Sequence, residues 1–565
     1  MASPRSLGPR SLIGRLGDPD SVPGILAGIV VVALAIRVSF LGLRVAHWDE
    51  ARIAFWILEY QRTGQWSYFP VHHGPLLFHV NRWVFATLGA SDATMRLPVA
   101  LVGGVLPGAA WLYRDHLDAP EVVGLGILLA GNPILVYYSR FMRNDLLVAA
   151  FAFVALGLFL RARASGWGGY LVAGGILLGL AFGSKENALL YLASWVGAGG
   201  LLLGLSNPRL GVEQEMNGGS QWAIQRLNNG IRRWGPWALT AGFAFVVTSF
   251  LLYVPRGRSG PTLQNLLSGT VSPGSVISAA LYVPAREAIS FWLLGSAQGE
   301  YPYPVFLGLL VGLLLVGALA TTGLAIWGLY QGRDRPLIAF AGLWAGLGVV
   351  GYPAASDLMA AWIALHVVVG LTIPASVGLG ILLRRLPGVR NGEEAGDLQN
   401  PEEHGRGGSV GSNITHRPRF ALSAIGTYLL VTVLLTSFMA PGATFNPLGQ
   451  PSQMEEGARV SIDAMLARSD GAGTDVAYVG PYWRNWIHRL PLIWYLEREG
   501  ATRTVVETLD ALDSHPPPVL IANASDRGAI QDRYPGYRCR AHQRVPWAGG
   551  RPEGLPGKVL ICVEA

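Results

Sequence analysis

Long apolar runs recur through the first 440 residues of the chain and are separated by short polar segments. An α-helix rises about 1.5 Å per residue, so a run of about 20 apolar residues crosses the roughly 30 Å of hydrocarbon in a bilayer. Candidate spans lie at 23–45, 97–113, 121–139, 145–161, 168–184, 187–205, 237–254, 304–330, 337–353, 358–383 and 420–440. The pattern predicts a polytopic α-helical membrane protein with about 11 transmembrane helices.

The last part of the chain has a different pattern. Residues 441–565 have the composition of a soluble domain, with candidate strands at 476–479, 519–522 and 559–563 and helical stretches between them. We therefore predict a C-terminal soluble α/β domain that follows a membrane module at 1–440.

The basic residues indicate how the chain is oriented. Only 14% of the residues are charged, against about a quarter in soluble domains, and arginines in short loops dominate the basic set. If the N-terminus is cytoplasmic, alternation places these basic segments on the same side: Arg5 to Arg15, Arg161 to Arg163, Arg209 to Arg233, Arg333 to Arg335, and Arg384 to Arg385. A linker at 386–419, predicted to be disordered, is then cytoplasmic too. The loops 46–96 and 255–303 and the domain 441–565 face outside, and the net charge of +7 does not imply nucleic-acid binding.

The first of these outer loops, 46–96, alternates aromatic residues with charged ones. The aromatic residues are Trp48, Phe55, Trp56, Trp66, Tyr68, Phe69, Phe78 and Trp83. This pattern is typical of helices that lie in the membrane interface.

Neither a metal nor a cofactor is predicted. The only cysteines are Cys539 and Cys562, which exclude a cysteine-based metal site and are able to form one disulfide if the domain faces an oxidising compartment. His72, His73 and His79 are spaced too loosely for a zinc site. The chain has no glycine-rich nucleotide loop.

Two acidic residues follow the first span directly, in His47-Trp48-Asp49-Glu50. Carboxylates at a membrane surface are suited to deprotonating an acceptor hydroxyl or to holding a metal. The alternative is a helix start, because acidic residues favour the first turn of a helix.

A second cluster, Ser139 to Asp145, lies between two predicted spans and contains Arg140, Arg143 and Asp145. Charges at a lipid boundary are costly unless they are paired or face a polar cavity, which makes these residues functional candidates, and the arginine fork suits phosphate. The alternative is that the arginines reach the interface and Asp145 caps the next helix.

Two shorter motifs lie on the same outer side of the membrane as these clusters in the predicted topology. Lys185, in Ser184-Lys-Glu-Asn187, either binds an anionic group or pairs with Glu186, and spacing does not decide between these. The turn at His73-Gly-Pro75 is suited to holding His73 near the carboxylates.

Three further features have alternative interpretations. Arg37, inside the first span, either reaches outward or faces the bundle interior. Asp357, Trp362 and His366 share a helical face that either lines a cavity or anchors the helix at the interface. The aromatic segments 482–486 and 490–495 form either a sugar-binding surface or, as we favour, a core and docking face.

Together these motifs resemble one family. They are His47-Trp-Asp-Glu50 after the first span, His73-Gly-Pro75, Ser139-Arg140 to Asp145, Ser184-Lys-Glu186 and Leu490-Pro-Leu-Ile-Trp-Tyr495. In this order they are similar to the flippase-activity-associated protein family of archaea and some bacteria. That family is related to protein mannosyltransferases and aminoarabinose transferases of glycosyltransferase fold C.

The resemblance implies many transmembrane helices, a polyprenyl-phosphate sugar donor and an active site at the outer face. It implies catalytic roles for Asp49, Glu50 and Asp145, and the candidates for binding the donor phosphate are Arg140, Arg143, Lys185 and His73. The sequence departs from the family pattern at 358–362, which reads Leu-Met-Ala-Ala-Trp, where relatives often have a lysine shortly before a Pro-Trp pair.

The leading hypothesis is an inverting glycosyltransferase in the cell membrane. Asp49 would take the proton of an acceptor hydroxyl on a protein, lipid or glycan, without a nucleotide or electron carrier. The main alternative is a non-catalytic partner or transporter in the flipping of lipid-linked sugars. A structural scaffold is less favoured, because intramembrane charges are usually functional.

Overall fold

The computed structural model describes residues 16, 18–206, 219–293, 302–355, 359–386, 412–443, 445–469, 473–545 and 557–565. Arg5, Arg10, Arg15, Asp357, Leu358 and most of the predicted linker at 386–419 lie outside these residues. Our predictions for them therefore stay predictions.

Helices make up most of the described chain before residue 440. They are α1 (Val22–Val38), α2 (Trp48–Thr63), α3 (Leu76–Leu88), α4 (Asp92–Val105), α5 (Ala119–Gly131), α6 (Pro133–Ser139), α7 (Asn144–Ser165), α8 (Gly169–Ser184), α9 (Ala188–Ser206), α10 (Gly219–Tyr253), the short α11 (Leu263–Leu267), α12 (Pro273–Ile277) and α13 (Val283–Ala288), then α14 (Tyr303–Val316), α15 (Leu319–Gln331), α16 (Pro336–Ala355), α17 (Ala364–Arg384) and α18 (Ser412–Leu434). Helix α17 packs against α5, α15 and α16, and nearly all of its residues are buried.

The predicted fold class is confirmed, although the number of spans is not. Among the described residues, seven helices are long and apolar enough to cross a membrane. Two bent pairs raise the number to nine if each pair is one span: α5 with α6, at 49°, and α14 with α15, at 91°. The other two predicted spans, 168–184 and 187–205, correspond to shorter apolar helices, α8 and α9.

Several helix boundaries differ from the predicted ones. Helix α1 ends at Val38, although the apolar run continues to Val45. Arginine side chains satisfy the backbone carbonyls beyond this point, so the chain leaves the helix inside its apolar run. Helices α10 and α18 begin well before their apolar parts, and residues 412–419, predicted to be disordered, are helical, because a helix need not end where the hydrocarbon does.

The C-terminal part contains a five-stranded sheet. Its elements are α19 (Ala458–Leu466), β1 (Val476–Val479), α20 (Leu492–Arg498), β2 (Arg503–Val506), β3 (Val519–Asn523), α21 (Arg527–Arg533), β4 (Tyr537–Gln543) and β5 (Lys558–Glu564). The strand order is β2-β1-β3-β5-β4, with β1 parallel to β2 and β3, and β5 antiparallel to β3 and β4. Cys539 and Cys562 face each other on β4 and β5 and form a disulfide.

Buried polar contacts hold this domain against the membrane module. Asp92, at the start of α4, accepts hydrogen bonds from Trp494 Nε1 at 2.9 Å, Tyr495 Oη at 2.8 Å and Arg459 at 2.7 Å. Trp483, Trp494 and Tyr495 are all fully buried. The aromatic segment at 490–495 is therefore a core and docking face rather than an exposed sugar-binding surface.

Candidate functional site

A capping box organises the start of α2. The His47 side chain accepts a hydrogen bond from the Asp49 backbone N–H at 3.1 Å, and the Glu50 carboxylate accepts one from the His47 backbone N–H at 2.9 Å. Glu50 therefore does cap the helix, as the alternative interpretation of this motif proposed. Asp49 points in another direction and keeps 26% of its side chain exposed.

Glu50 forms a buried ion-pair cluster with two arginines from other segments. Its carboxylate is fully buried and accepts hydrogen bonds from Arg44 at 3.0 and 3.1 Å, from Arg96 at 2.9 Å to each oxygen, and from the Met142 backbone N–H at 2.8 Å. Burial raises the pKa of Glu50, but the charges of Arg44 and Arg96 outweigh burial and hold the pKa well below its usual range. Because this carboxylate is fully buried, it positions other segments and is out of reach of a substrate hydroxyl.

Asp49 and Arg143 begin a second network. Asp49 Oδ2 accepts a short hydrogen bond from Arg143, and its Oδ1 accepts one from Arg52 at 3.0 Å. Burial raises the pKa of Asp49, but the charges of Arg143, Arg52 and His47 bring it well below the usual range. Asp49 is therefore an ionised, partly exposed carboxylate.

Arg143 links Asp49 to Asp145. Its Nε lies 3.3 Å from Asp145 Oδ2, and it also donates to Gln450 of the C-terminal part at 2.9 Å. The guanidinium lies over the ring of Trp362, 3.9 Å from the centroid. Three distant segments of the chain thus fix this one side chain.

Lys185 and His366 complete the network on the other side of Asp145. Lys185 Nζ lies 2.9 Å from Asp145 Oδ1, and His366 Nε2 lies 3.3 Å from the same oxygen. Tyr191 is hydrogen-bonded to the other ring nitrogen of His366 at 2.9 Å. Lys185 keeps 13% of its side chain exposed, whereas Asp145 keeps 2%.

His73 lies beside the carboxylate of Glu186. Its Nδ1 is 3.6 Å from Glu186 Oε2, and Tyr68 Oη donates to Glu186 Oε1 at 2.6 Å. Burial and the charge of Lys185 lower the pKa of His73. The turn needs glycine at position 74, because the Gly74 backbone N–H donates to Ser184 O at 3.1 Å and a Cβ there would overlap the 183–184 backbone.

Arg140 occupies a different environment from Arg143. Its guanidinium donates to the carbonyls of Ile36 at 2.8 Å, Arg37 at 3.1 Å and Ser39 at 2.7 Å, and it lies over the ring of Phe438. It therefore caps the C-terminal end of α1. Arg37 has a similar role inside the bundle, where it donates to the last carbonyls of α5 at 2.9 Å.

Sequence reasoning missed five residues of these networks. They are Arg44, Arg52, Arg96, Tyr191 and Gln450. Arg44 and Arg96 carried a usable signal, because each is a charge at the end of an apolar run. Gln450 carried none, since its contact depends on docking of the C-terminal part.

A cavity of about 1010 Å³ adjoins the network. Arg52, Tyr68 and His73 line it, and all three contact the acidic residues described above. Within the part of the chain that the structure describes, no group of three or more His, Cys, Asp or Glu side chains is arranged to hold a metal ion.

Two family models match parts of this chain. Residues 459–551 match the Agl23 flippase-associated protein C-terminal domain, and residues 72–208 match dolichyl-phosphate-mannose-protein mannosyltransferase. Among curated proteins, no sequence matches the chain.

Solved structures share the fold. ArnT from Cupriavidus metallidurans in the apo state aligns with a TM-score of 0.56 and 16% identity, over 95% of this chain and 98% of that chain. The same protein bound to undecaprenyl phosphate aligns with a TM-score of 0.52 and 16% identity, over 95% and 98% of the two chains.

The chain therefore has the predicted glycosyltransferase C-like membrane fold, which it shares with the ArnT structures. The predicted resemblance to the flippase-associated proteins is confirmed by the match of residues 459–551, and residues 72–208 are similar to the mannosyltransferase model.

Proposed function

We propose that the protein transfers a sugar from a polyprenyl-phosphate carrier to an acceptor hydroxyl at the outer face of the membrane. The observation that carries the proposal is the continuous network from Asp49 through Arg143 and Asp145 to Lys185. It holds one partly exposed carboxylate and two cations in one site, as transfer from a phosphate leaving group requires.

In this reaction the acceptor oxygen attacks the anomeric carbon of the sugar, and Asp49 takes the hydroxyl proton. The bond between the anomeric carbon and the phosphate oxygen breaks, and the lipid phosphate leaves with the bonding electrons. Asp49 suits the role because its side chain is partly exposed and ionised. Asp145 is nearly fully buried between Lys185 and Arg143, so we propose that it orients these two cations.

The phosphate would be held by Lys185 and Arg143, each of which lies at the end of an apolar helix. A phosphate there gains charge-assisted hydrogen bonds from both cations. The His73 ring, beside Glu186 and lining the cavity, would lie near the sugar. We do not keep Arg140 in this site, because its guanidinium donates to the carbonyls at the end of α1 and, among the described residues, pairs with none of the carboxylates of the network.

Replacing Lys185 with glutamine is expected to weaken binding of a polyprenyl-phosphate sugar by about tenfold or more, because a charge-assisted hydrogen bond is lost. The measurement is titration calorimetry on the full chain in nanodiscs. Lys558→Gln is a matched control, since Lys558 is the only other lysine of the sequence and is exposed on β5. Equal affinity in the two variants would remove Lys185 from the phosphate site.

We also propose that the C-terminal domain is extracytoplasmic. Arg161, Arg335 and Arg384 pair with Asp115, Glu121 and Asp118, so three basic segments meet just beyond the end of the Asp92–Tyr113 span that is opposite to the Asp92 docking site. Basic loops favour the cytoplasm, so the domain and the site face the other side. The disulfide between Cys539 and Cys562 fits an oxidising compartment.

Protease added to sealed cells should therefore remove an epitope tag placed after Ala565, while a tag before Met1 resists. Immunoblots of intact and lysed cells measure both tags. Loss of the C-terminal tag only after lysis would invert the topology.

The alternative function, a non-catalytic partner in the flipping of lipid-linked sugars, is favoured by the description of the family that matches residues 459–551. The two proposals differ in what the purified protein does to a lipid-linked sugar. A transferase releases the lipid phosphate and extends the acceptor, whereas a partner binds the lipid and leaves its sugar bond intact.

A further inference from the structure

The cavity beside the network has aromatic walls. Its lining includes the rings of Trp56, Tyr60, Trp66, Phe69, Phe78 and Trp486. Trp56 comes from α2 and Trp486 from the C-terminal part, and their ring centroids are 5.7 Å apart in an edge-to-face arrangement. The cavity therefore lies between the first loop and the C-terminal domain.

Polar groups surround these rings. Arg52, Glu59, Gln65, Arg256 and Ser259 also line the cavity. Trp56 Nε1 itself is buried and has no hydrogen-bond partner among the described residues, so the part of Trp56 that lines the cavity is its ring. Aromatic faces combined with convergent hydrogen-bonding groups fit a molecule that has apolar C–H faces and hydroxyl edges, which is the chemistry of a carbohydrate.

The face of α2 that borders the cavity also carries Asp49, the proposed base. Asp49, Arg52 and Trp56 are spaced three and four residues apart, which places them on one face of α2. Arg52 contacts Asp49 and lines the cavity. A molecule seated against Trp56 therefore approaches Asp49 along this face.

A peptide fits this cavity less well. Peptides are commonly held by main-chain pairing with an extended segment. The extended segment at this cavity is already paired, because Trp66 and Arg256 exchange backbone hydrogen bonds of 3.0 and 2.9 Å.

We propose that this aromatic cavity binds the acceptor and that the acceptor is a carbohydrate. That the bound carbohydrate is the acceptor rests on the proposed function. That the cavity binds carbohydrate does not depend on it. Trp56 and Trp486 supply the stacking surfaces, and Arg52 lies between the bound sugar and Asp49.

The experiment measures binding of free saccharides to the full chain in nanodiscs, without donor. The probes are tetrasaccharides of glucose, mannose, galactose and N-acetylglucosamine, and a serine-containing octapeptide. At least one tetrasaccharide should bind, and Trp56→Ala and Trp486→Ala should each weaken that binding about tenfold, because a stacking face is lost. Trp83→Ala is the matched control, since Trp83 belongs to the same loop but is 69% exposed and lies outside the cavity.

A further variant separates loss of binding from loss of folding. Ser259 is exposed at the cavity wall, so Ser259→Trp should obstruct the cavity without removing buried packing, and should weaken saccharide binding about tenfold or more at an unchanged melting temperature. Absence of binding by every tetrasaccharide, equal binding by all variants, or binding of the octapeptide alone would each overturn the proposal. Saccharide binding without any transfer would contradict only the proposed function.

Discussion

Replacing Asp49 with asparagine is expected to lower sugar transfer by about 10²-fold or more, while binding of the donor persists. Asparagine keeps the size and polarity of the side chain but cannot accept the proton of the acceptor hydroxyl. The phosphate-binding cations are retained in this variant, so the loss should appear in kcat rather than in donor affinity. The measurement is the rate of lipid phosphate release with a polyprenyl-phosphate sugar and a saccharide acceptor.

The pH profile gives a second readout of the same group. Because the pKa of Asp49 lies well below its usual range, the carboxylate stays ionised as the pH falls to about 4. The wild-type rate should therefore show no acidic limb from this residue above about pH 4.

Asp532→Asn serves as the control for this experiment, since Asp532 is an exposed aspartate in the C-terminal part. Transfer by Asp49→Asn at the control rate would show that Asp49 is not the base. A protein that only recognises lipid-linked sugars would instead lose binding or remain unchanged.

Replacing Glu50 with glutamine is expected to destabilise the protein by about 3–5 kcal/mol, because it leaves Arg44 and Arg96 buried without a counter-charge. The cluster joins the loop after α1, the start of α2, helix α4 and the turn before α7, so its loss should affect the whole site. Thermal and denaturant unfolding in nanodiscs measure the change.

The pH dependence of this stabilisation has a definite sign. The folded-state pKa of Glu50 is lowered, so the stability that it contributes is fully present above the unfolded pKa of about 4.3 and is lost as the pH falls through the lower folded value. Glu50→Gln should lack this dependence.

Glu59→Gln is the matched control in the same helix. Glu59 pairs with Arg62 on the surface, three residues along α2, and such exposed pairs contribute about 0.2–1 kcal/mol. A Glu50→Gln variant that is as stable as this control would show that the buried cluster does not hold the site together.

The sequence by itself determined the positions of the apolar helices and the inner strands of the C-terminal sheet. Each predicted span coincides with a helix or a bent helix pair, because the need to bury a long apolar run is a local property that hydropathy reports. The three predicted strands are β1, β3 and β5, which lie inside the sheet. The missed strands, β2 and β4, are its edges, where partial exposure leaves a more polar pattern.

The sequence also identified most charged residues of the candidate site, because a charge beside an apolar run is costly and so signals a partner or a function. Only the tertiary structure decided which charges pair. Asp49 contacts Arg143 from 94 residues away, and Asp145 contacts His366 from 221 residues away. The tertiary structure also distinguished the roles of these residues. Glu50 and Arg140 are buried in structural contacts, whereas Asp49 keeps part of its side chain exposed. Spacing along the chain cannot make these distinctions, since the partners are chosen by helix packing and by docking of the C-terminal part.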